Sequence, residues 1–239
     1  ITKISVQKHN KERYSIFTDS GRGEEYAFSV DEDVLIKHNL KKGMELDDFS
    51  VTEMLFQDDI RKAYNAAINY LAHRMRSEAE VRDYLLKKEM AEPVIKEAIH
   101  KLYEFKFLND EEFANAFVRT QLNTTDKGAG VIKLELKNKG ISPGLVSKVT
   151  DEGSFDEQLE KAIKLSDKYA QKNRKDSSKI LKQKIEQMLQ RKGYSFAIIR
   201  AALEQTSVEK EEDDEMAALR AQGEKLHNKY SKLPEREYR

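Results

Sequence analysis

The chain has 239 residues, 38% hydrophobic and 36% charged, a balance that suits several small, well-solvated units better than one deep core. It contains no Cys, which excludes disulfides, thiolate metal sites and cysteine nucleophiles, and no apolar run approaches the roughly 20 residues that span a bilayer. Net charge is zero, yet residues 127–200 hold 17 basic against 9 acidic side chains while residues 1–57 hold 8 against 11, so a basic middle is available to a polyanion.

The N-terminal stretch alternates apolar and polar at Ile4 and Val6, Tyr14 and Ile16, then Tyr26, Phe28 and Val30, with turn residues at 9–12 and 19–23. This predicts a three-stranded antiparallel meander. Ser29 with Glu32 reads as a capping box for a short helix to about His38. Gly43 then breaks the chain before an extended piece at Met44 and Leu46. Residues 1–49 are therefore expected to form a small α+β cap, leaning on the helices that follow.

From Ser50 the period becomes helical. Ser50 with Glu53 reads as a second capping box, and Asp58-Asp59 marks a candidate break in the helix that follows. Ser77-Glu-Ala-Glu80 opens the next helix. That helix ends at Leu85-Leu-Lys-Lys-Glu-Met-Ala-Glu-Pro-Val94, and the pattern returns 51 residues later as Leu136-Lys-Asn-Lys-Gly-Ile-Ser-Pro-Gly-Leu145. It returns again after 53 residues as Leu189-Gln-Arg-Lys-Gly-Tyr-Ser-Phe-Ala-Ile198. In each copy a helix ends, turns and restarts, so the chain reads as tandem three-helix units. Superposition aligns Val81, Ile132 and Ile185, then Leu85, Leu136 and Leu189, then Val94, Leu145 and Ile198. Glu89 stands where the other copies have Gly140 and Gly193, so the first corner is expected to close differently.

The expected units are 50–107, 108–152 (opened by the caps at Asn109–Glu112) and 153–206 (opened by Ser154 with Glu157). Lys225-Leu-His-Asn-Lys-Tyr230 repeats Lys164-Leu-Ser-Asp-Lys-Tyr169 at a spacing of 61. Residues 207–239 are thus expected to hold an incomplete fourth unit, truncated after a lone helix with a frayed tail. The fold class is mainly α: tandem three-helix repeats in an elongated, bent array behind an antiparallel β-containing cap.

Arg74-Met-Arg-Ser77 opening a second helix, Phe107-Leu-Asn-Asp-Glu-Glu-Phe-Ala114 opening a second unit, and the order of these corners resemble the RecX family, over roughly residues 60–205. The resemblance implies a modular protein that binds along the filament of RecA protein on single-stranded DNA. It also implies inhibition of filament growth, ATPase and strand exchange, with direct DNA binding in some relatives.

The residues exclude other functions on their own terms. There is no GxxxxGK[ST] loop, and Gly128-Ala-Gly130 is too short and misplaced for a dinucleotide fingerprint. His9, His38, His73, His100 and His227 lack metal-ligand spacing. Asp58-Asp59 and Glu111-Glu112 read as carboxylates near helix starts, where the dipole accounts for them. No catalytic residue, metal, cofactor or small-molecule ligand is expected, and the chain reads as a cytoplasmic monomer without a membrane partner. The third helix of each unit begins with Glu92-Pro-Val-Ile95, Pro143-Gly-Leu-Val146 or Phe196-Ala-Ile-Ile199, without the Arg, Asn or Gln that read base edges, so sequence-specific binding is not expected.

Basic residues gather instead before each corner: Lys87 and Lys88, Lys137 and Lys139, Arg191 and Lys192. Such cations complement a helix C-terminus; evenly repeated, they also suit a repeating polyanion. Lys172, Arg174, Lys175, Lys179, Lys182 and Lys184 extend the positive field around a loop at 173–178. Most aromatics, including Tyr70, Tyr84, Phe105 and Phe107, read as core. Beside the filament regulator, two readings stay open: a stand-alone, sequence-nonspecific nucleic-acid-binding protein, and a helical protein–protein scaffold.

Overall fold

The alternation at the N-terminus becomes three strands, β1 (Lys3–Val6), β2 (Arg13–Asp19) and β3 (Glu24–Asp31), in the computed structural model, which describes residues 1–151, 155–206 and 212–231. They form an antiparallel sheet in sequence order, with Ile4 opposite Ile16 and Ile16 opposite Phe28. One face carries Ile16, Phe28 and Val30 onto Val34, Leu40 and Met54. The short α1 (Glu32–Lys37) is capped by Asp31, whose carboxylate accepts from Asp33 N, and not by Ser29, which stays in β3. Met44 and Leu46 form no strand; the N-terminal ammonium donates to Met44 O at 2.6 Å.

Helix α2 (Asp48–Leu71) begins three residues before the start a Ser50 cap would give, because Asp47 is the N-cap: its carboxylate accepts from Ser50 N at 2.7 Å. It runs unbroken through Asp58-Asp59. Asp58 is therefore not near a helix start. It lies fully buried within α2, where Arg13 donates to both carboxylate oxygens at 3.1 and 2.8 Å and Asp31 N donates at 2.7 Å. The cap thus rests on α2 through Met54 and this buried charge.

Helices α3 (Glu78–Leu86) and α4 (Glu92–Glu104) complete the first three-helix set, with the Ser77–Glu80 capping box formed as predicted. Ala63, Ala67, Val81, Leu85, Val94, Ile95, Ala98 and Leu102 share one core. Phe105 and Phe107, read as core, are instead mostly exposed and meet Tyr64 edge-on. Residues 1–113 form one compact unit; residues 114–239 form a second.

The remaining helices are α5 (Asp110–Thr124), α6 (Ala129–Asn138), α7 (Pro143–Asp151), α8 (Phe155–Lys172), α9 (Ser178–Arg191), α10 (Phe196–Gln205) and α11 (Glu212–Tyr230). Asn109 caps α5 by accepting from Glu111 N and Glu112 N, both at 3.1 Å. The cap assigned to Ser154 lies outside the described residues. Leu181, Ile185 and Leu189 of α9 pack with Ala162 of α8 and Ile198, Ile199 and Ala202 of α10.

The three corners close alike. Leu85 O, Leu136 O and Leu189 O accept from Met90 N (3.3 Å), Ile141 N (3.1 Å) and Tyr194 N (3.1 Å), the long-range bond of a Schellman turn. The residue at the bend has positive φ each time: Glu89 at 60°, Gly140 at 78° and Gly193 at 84°. The first corner therefore does not differ in shape. Its core contacts force an L-residue into the left-handed region, which costs roughly 1–2 kcal/mol. Glu89→Gly should relieve that strain, and after the added freedom of the unfolded chain is subtracted a net stabilisation of about 0.5–1 kcal/mol should appear as a raised urea midpoint. An unchanged or lower midpoint would show the corner to be unstrained.

Gly128-Ala-Gly130, excluded as a cofactor loop, has a structural use. Gly128 N donates to Lys192 O at 2.7 Å and Gly130 N to Gly193 O at 2.9 Å, so the start of α6 takes up the last carbonyls of the α9 corner. A Cβ on Gly128 would lie 2.6 Å from Gly193 C. Only glycine permits this approach of two backbones.

Among the described residues of 207–239 there is one helix, α11, and it packs on the third unit. Its Ala218 is buried, and its Glu215 and Gln222 meet Ser178 and Ser177 at the start of α9. The expected frayed tail, 232–239, lies outside the described residues, as do 207–211. Among the described residues no helix is long and apolar enough to cross a membrane.

Candidate polyanion-binding surface

Of the twelve basic residues singled out by sequence, the structure brings five together and pairs a sixth, Lys184, with a carboxylate beside them. Lys172 ends α8, Arg174 and Lys175 occupy the turn that follows, and Lys179 and Lys182 stand on the first two turns of α9. All five are exposed. Lys172, Lys175 and Lys179 meet no carboxylate among the described residues. The turn itself is well fastened: Asn173 Nδ2 donates to Tyr169 O at 2.8 Å, and Lys184 pairs with Asp176 at 2.6 Å. That pair removes Lys184 from the positive field and holds the loop against α9.

Helix electrostatics account for Lys172, in the last turn of α8, but not for Lys179 and Lys182. Peptide dipoles place partial positive charge at a helix start, where anionic side chains are favourable and cations are not. The first turn of α9 carries no acidic residue, and its N-cap, Ser177, makes no side-chain capping bond. Lys179 and Lys182 add charge of the unfavourable sign at that end.

The anion arrives from elsewhere in the chain. Glu215 of α11 accepts from Ser178 N at 2.9 and 3.1 Å, and Ser178 Oγ donates to the same carboxylate at 2.8 Å. The start of α9 thus binds an oxyanion supplied by the protein itself, within a few residues of Lys175 and Lys179 in the chain. Sequence reasoning missed Glu215. The acidic run at 209–215 was visible in the sequence, but the helix end it would meet, 37 residues away, was not.

The other six candidates are scattered. Lys87 is the exposed C-cap of α3; Lys88 lies over the Tyr84 ring, 5.2 Å from its centroid. Tyr84 stacks on Tyr70 at 4.0 Å with Arg76 on the far side, 3.6 Å from the Tyr70 centroid, so Lys88 ends a four-member cation–aromatic stack. Lys137 is exposed in the last turn of α6, and Lys139 sits 5.5 Å from the Phe117 centroid. Arg191 donates to Gln187 O at 3.3 Å, and Lys192 pairs with Asp126 at 3.5 Å. Each is at a helix C-terminus, where the dipole welcomes it.

Nor do the two corners of the second unit coincide. α6 begins against Gly193 and ends at Lys139, so its 10 residues separate them, by about 15 Å at 1.5 Å per residue. The Arg191–Lys192 corner and the Lys179–Lys182 cluster stand at opposite ends of α9. The α8–α9 surface, rather than a row of corners, is the concentrated positive site in this unit.

Tyr194, at the third corner, is buried, donates to Asp126 O at 3.3 Å, and has its hydroxyl pKa pushed up to about 12 by burial and by the Asp126 charge. It is a packing residue.

Family models described as the RecX N-terminal domain and the first, second and third RecX three-helix domains match residues 1–47, 63–102, 109–149 and 156–203. The chain is similar to Regulatory protein RecX of Bacillus velezensis, 49% identical over 230 residues, covering 96% of this chain and 86% of that protein. It is 47% identical to the Bacillus subtilis protein of the same name, with the same coverage. Among solved structures, a crystal structure of regulatory protein RecX aligns with TM-score 0.75 and 32% identity, covering 85% of this chain and 98% of that one. RecX from Lactobacillus salivarius aligns with TM-score 0.61 and 38% identity, over 64% of this chain and 99% of that one.

Proposed function

The chain belongs to the RecX family, and from that premise we propose that it restrains the RecA recombinase by binding along its filament on single-stranded DNA. It limits filament growth, ATPase and strand exchange without catalysing a reaction, and it acts as a cytoplasmic monomer. The family name and the resemblance support the partner. The observation that carries the contact surface is the cluster of Lys172, Arg174, Lys175, Lys179 and Lys182, of which Lys179 and Lys182 stand at the positive end of α9, where helix electrostatics alone disfavour cations. Such a surface engages phosphates, without reading bases.

The test is a titration of RecA ATPase on single-stranded DNA. The parent chain is expected to inhibit below stoichiometry with RecA. Changing Lys172, Lys175, Lys179 and Lys182 together to Gln should raise the amount required at least about tenfold. It should also reduce the salt slope of DNA binding by roughly 3, four contacts at about 0.7 each. Glu215→Gln should act oppositely and strengthen binding roughly threefold, because it weakens the internal competitor at a helix start worth up to about 1 kcal/mol. No inhibition by the parent would sink the proposal.

The alternatives give different curves. A stand-alone DNA-coating protein inhibits only when it covers the DNA, and added salt abolishes the effect. A protein–protein scaffold is indifferent to all four lysine changes.

A further inference from the structure

We propose that Phe196 is a base-stacking platform for single-stranded nucleic acid at the third corner, an inference that rests on the phosphate-contact reading above. Phe196 is the first residue of α10 and is 75% exposed, close to the highest exposure of any aromatic described. It has no structural task there. The helix start is capped by Ser195 Oγ, which accepts from Ile198 N at 3.4 Å, and the buried face is made by Ile198, Ile199 and Ala202. The aligned residues of the other two units are Glu92 and Pro143, both ordinary at a helix start. An exposed phenyl ring here leaves apolar area in water that a polar side chain would not.

The surroundings select the occupant. Arg200 is one turn along the same face of α10 with its side chain 85% exposed, held by Glu204 at 3.1 Å. Across the tight corner, Arg191 ends α9, exposed. An exposed aromatic ring on a surface that also carries cations is how proteins without sequence preference hold single strands: cations take the backbone and the ring takes a base. A paired base hides its face in the stack, so a duplex cannot use this platform. An apolar protein segment would gain nothing from the two arginines. The corner therefore supplies what the α8–α9 lysines lack, a preference for unpaired bases over phosphate alone.

The chain contains no Trp, so Phe196→Trp in the full chain places a single tryptophan at the site, read by excitation selective for indole. Oligo(dT) is expected to quench it, while polyphosphate and an abasic strand of equal length bind without quenching. Phe196→Ala should weaken oligo(dT) binding roughly tenfold and leave polyphosphate binding and the melting temperature unchanged. The ring is exposed, so folding is not at stake. Oligo(dT) that binds without quenching, or polyphosphate that quenches equally, overturns the platform and leaves the phosphate-contact reading intact. Failure of both oligo(dT) and polyphosphate to bind overturns the reading beneath it as well.

Discussion

Gly193→Ala is expected to destabilise the second unit by at least about 3 kcal/mol, a large share of the margin of about 5–15 kcal/mol that a domain has. Two costs add. The residue has φ +84°, a conformation that costs an L-residue roughly 1–2 kcal/mol. The new methyl would also collide with Val131, whose backbone N and Cγ2 both lie inside contact distance, the latter at 2.8 Å. Neither the α6 backbone nor the corner can withdraw without breaking the bonds from Gly128 N and Gly130 N. Three glycines separate the terms. Gly144 lies in α7 with open space around it, so Gly144→Ala should be neutral or slightly stabilising. Gly43 has φ +87° and no neighbour within 4 Å, so Gly43→Ala reports the conformational cost alone. Urea unfolding followed by circular dichroism ranks them. A Gly193→Ala loss no larger than that of Gly43→Ala would show that the backbones do not meet.

Asp58→Ala is the second large effect, expected to cost the first unit about 3–5 kcal/mol, the range for leaving one half of a buried ion pair alone. It strands the Arg13 guanidinium, whose side chain is 17% exposed, and leaves Asp31 N without its acceptor. Burial by itself would raise the Asp58 pKa. Hydrogen bonds from Arg13, Lys62 and Asp31 N, together with the Lys62 charge, outweigh it and hold the carboxylate below its ordinary 3.8. The folded pKa is depressed, so this stabilisation is fully present above about pH 4 and is lost as pH falls through the lower folded value. Asp58→Asn keeps the shape and should flatten the acid limb of the first unit's stability curve. A limb unchanged by Asp58→Asn, or an Asp58→Ala cost below about 1 kcal/mol, would rule out this pair as the anchor of the sheet on α2.

What sequence could reveal divides by range. The strands, the Ser77–Glu80 box and the corners at Leu85, Leu136 and Leu189 depend on neighbours within a few residues, so spacing alone exposes them. Asp58 looked like a helix-start carboxylate because its partner, Arg13, is 45 residues away, and burial of a charge is intelligible only once that partner is placed. Glu89 looked like an exception because local propensity disfavours it there. Packing of Leu85 and Val94 in the core overrode that preference. The same division holds at the candidate site. Lys172 to Lys182 form a cluster because one turn joins two helices, which is a local fact. Whether Lys137 and Arg191 share a face depended on where α6 begins, and only the fold could answer that.

The clasp between Gly128, Gly130 and Gly193 also bears on how such an array can grow or be rebuilt. The sequence period suggests beads of about 50 residues that could be duplicated or exchanged one at a time. The backbone bonds make a different unit of inheritance: a corner from one repeat together with the Gly-Ala-Gly opening of the repeat before it. A chimera that transplants residues 153–206 onto a neighbour lacking that opening brings a corner with nothing to grip, while one that carries residues 128–193 together keeps the joint. Swaps should therefore fail when cut at the apparent repeat boundary, where a simple reading of the period would place the cut.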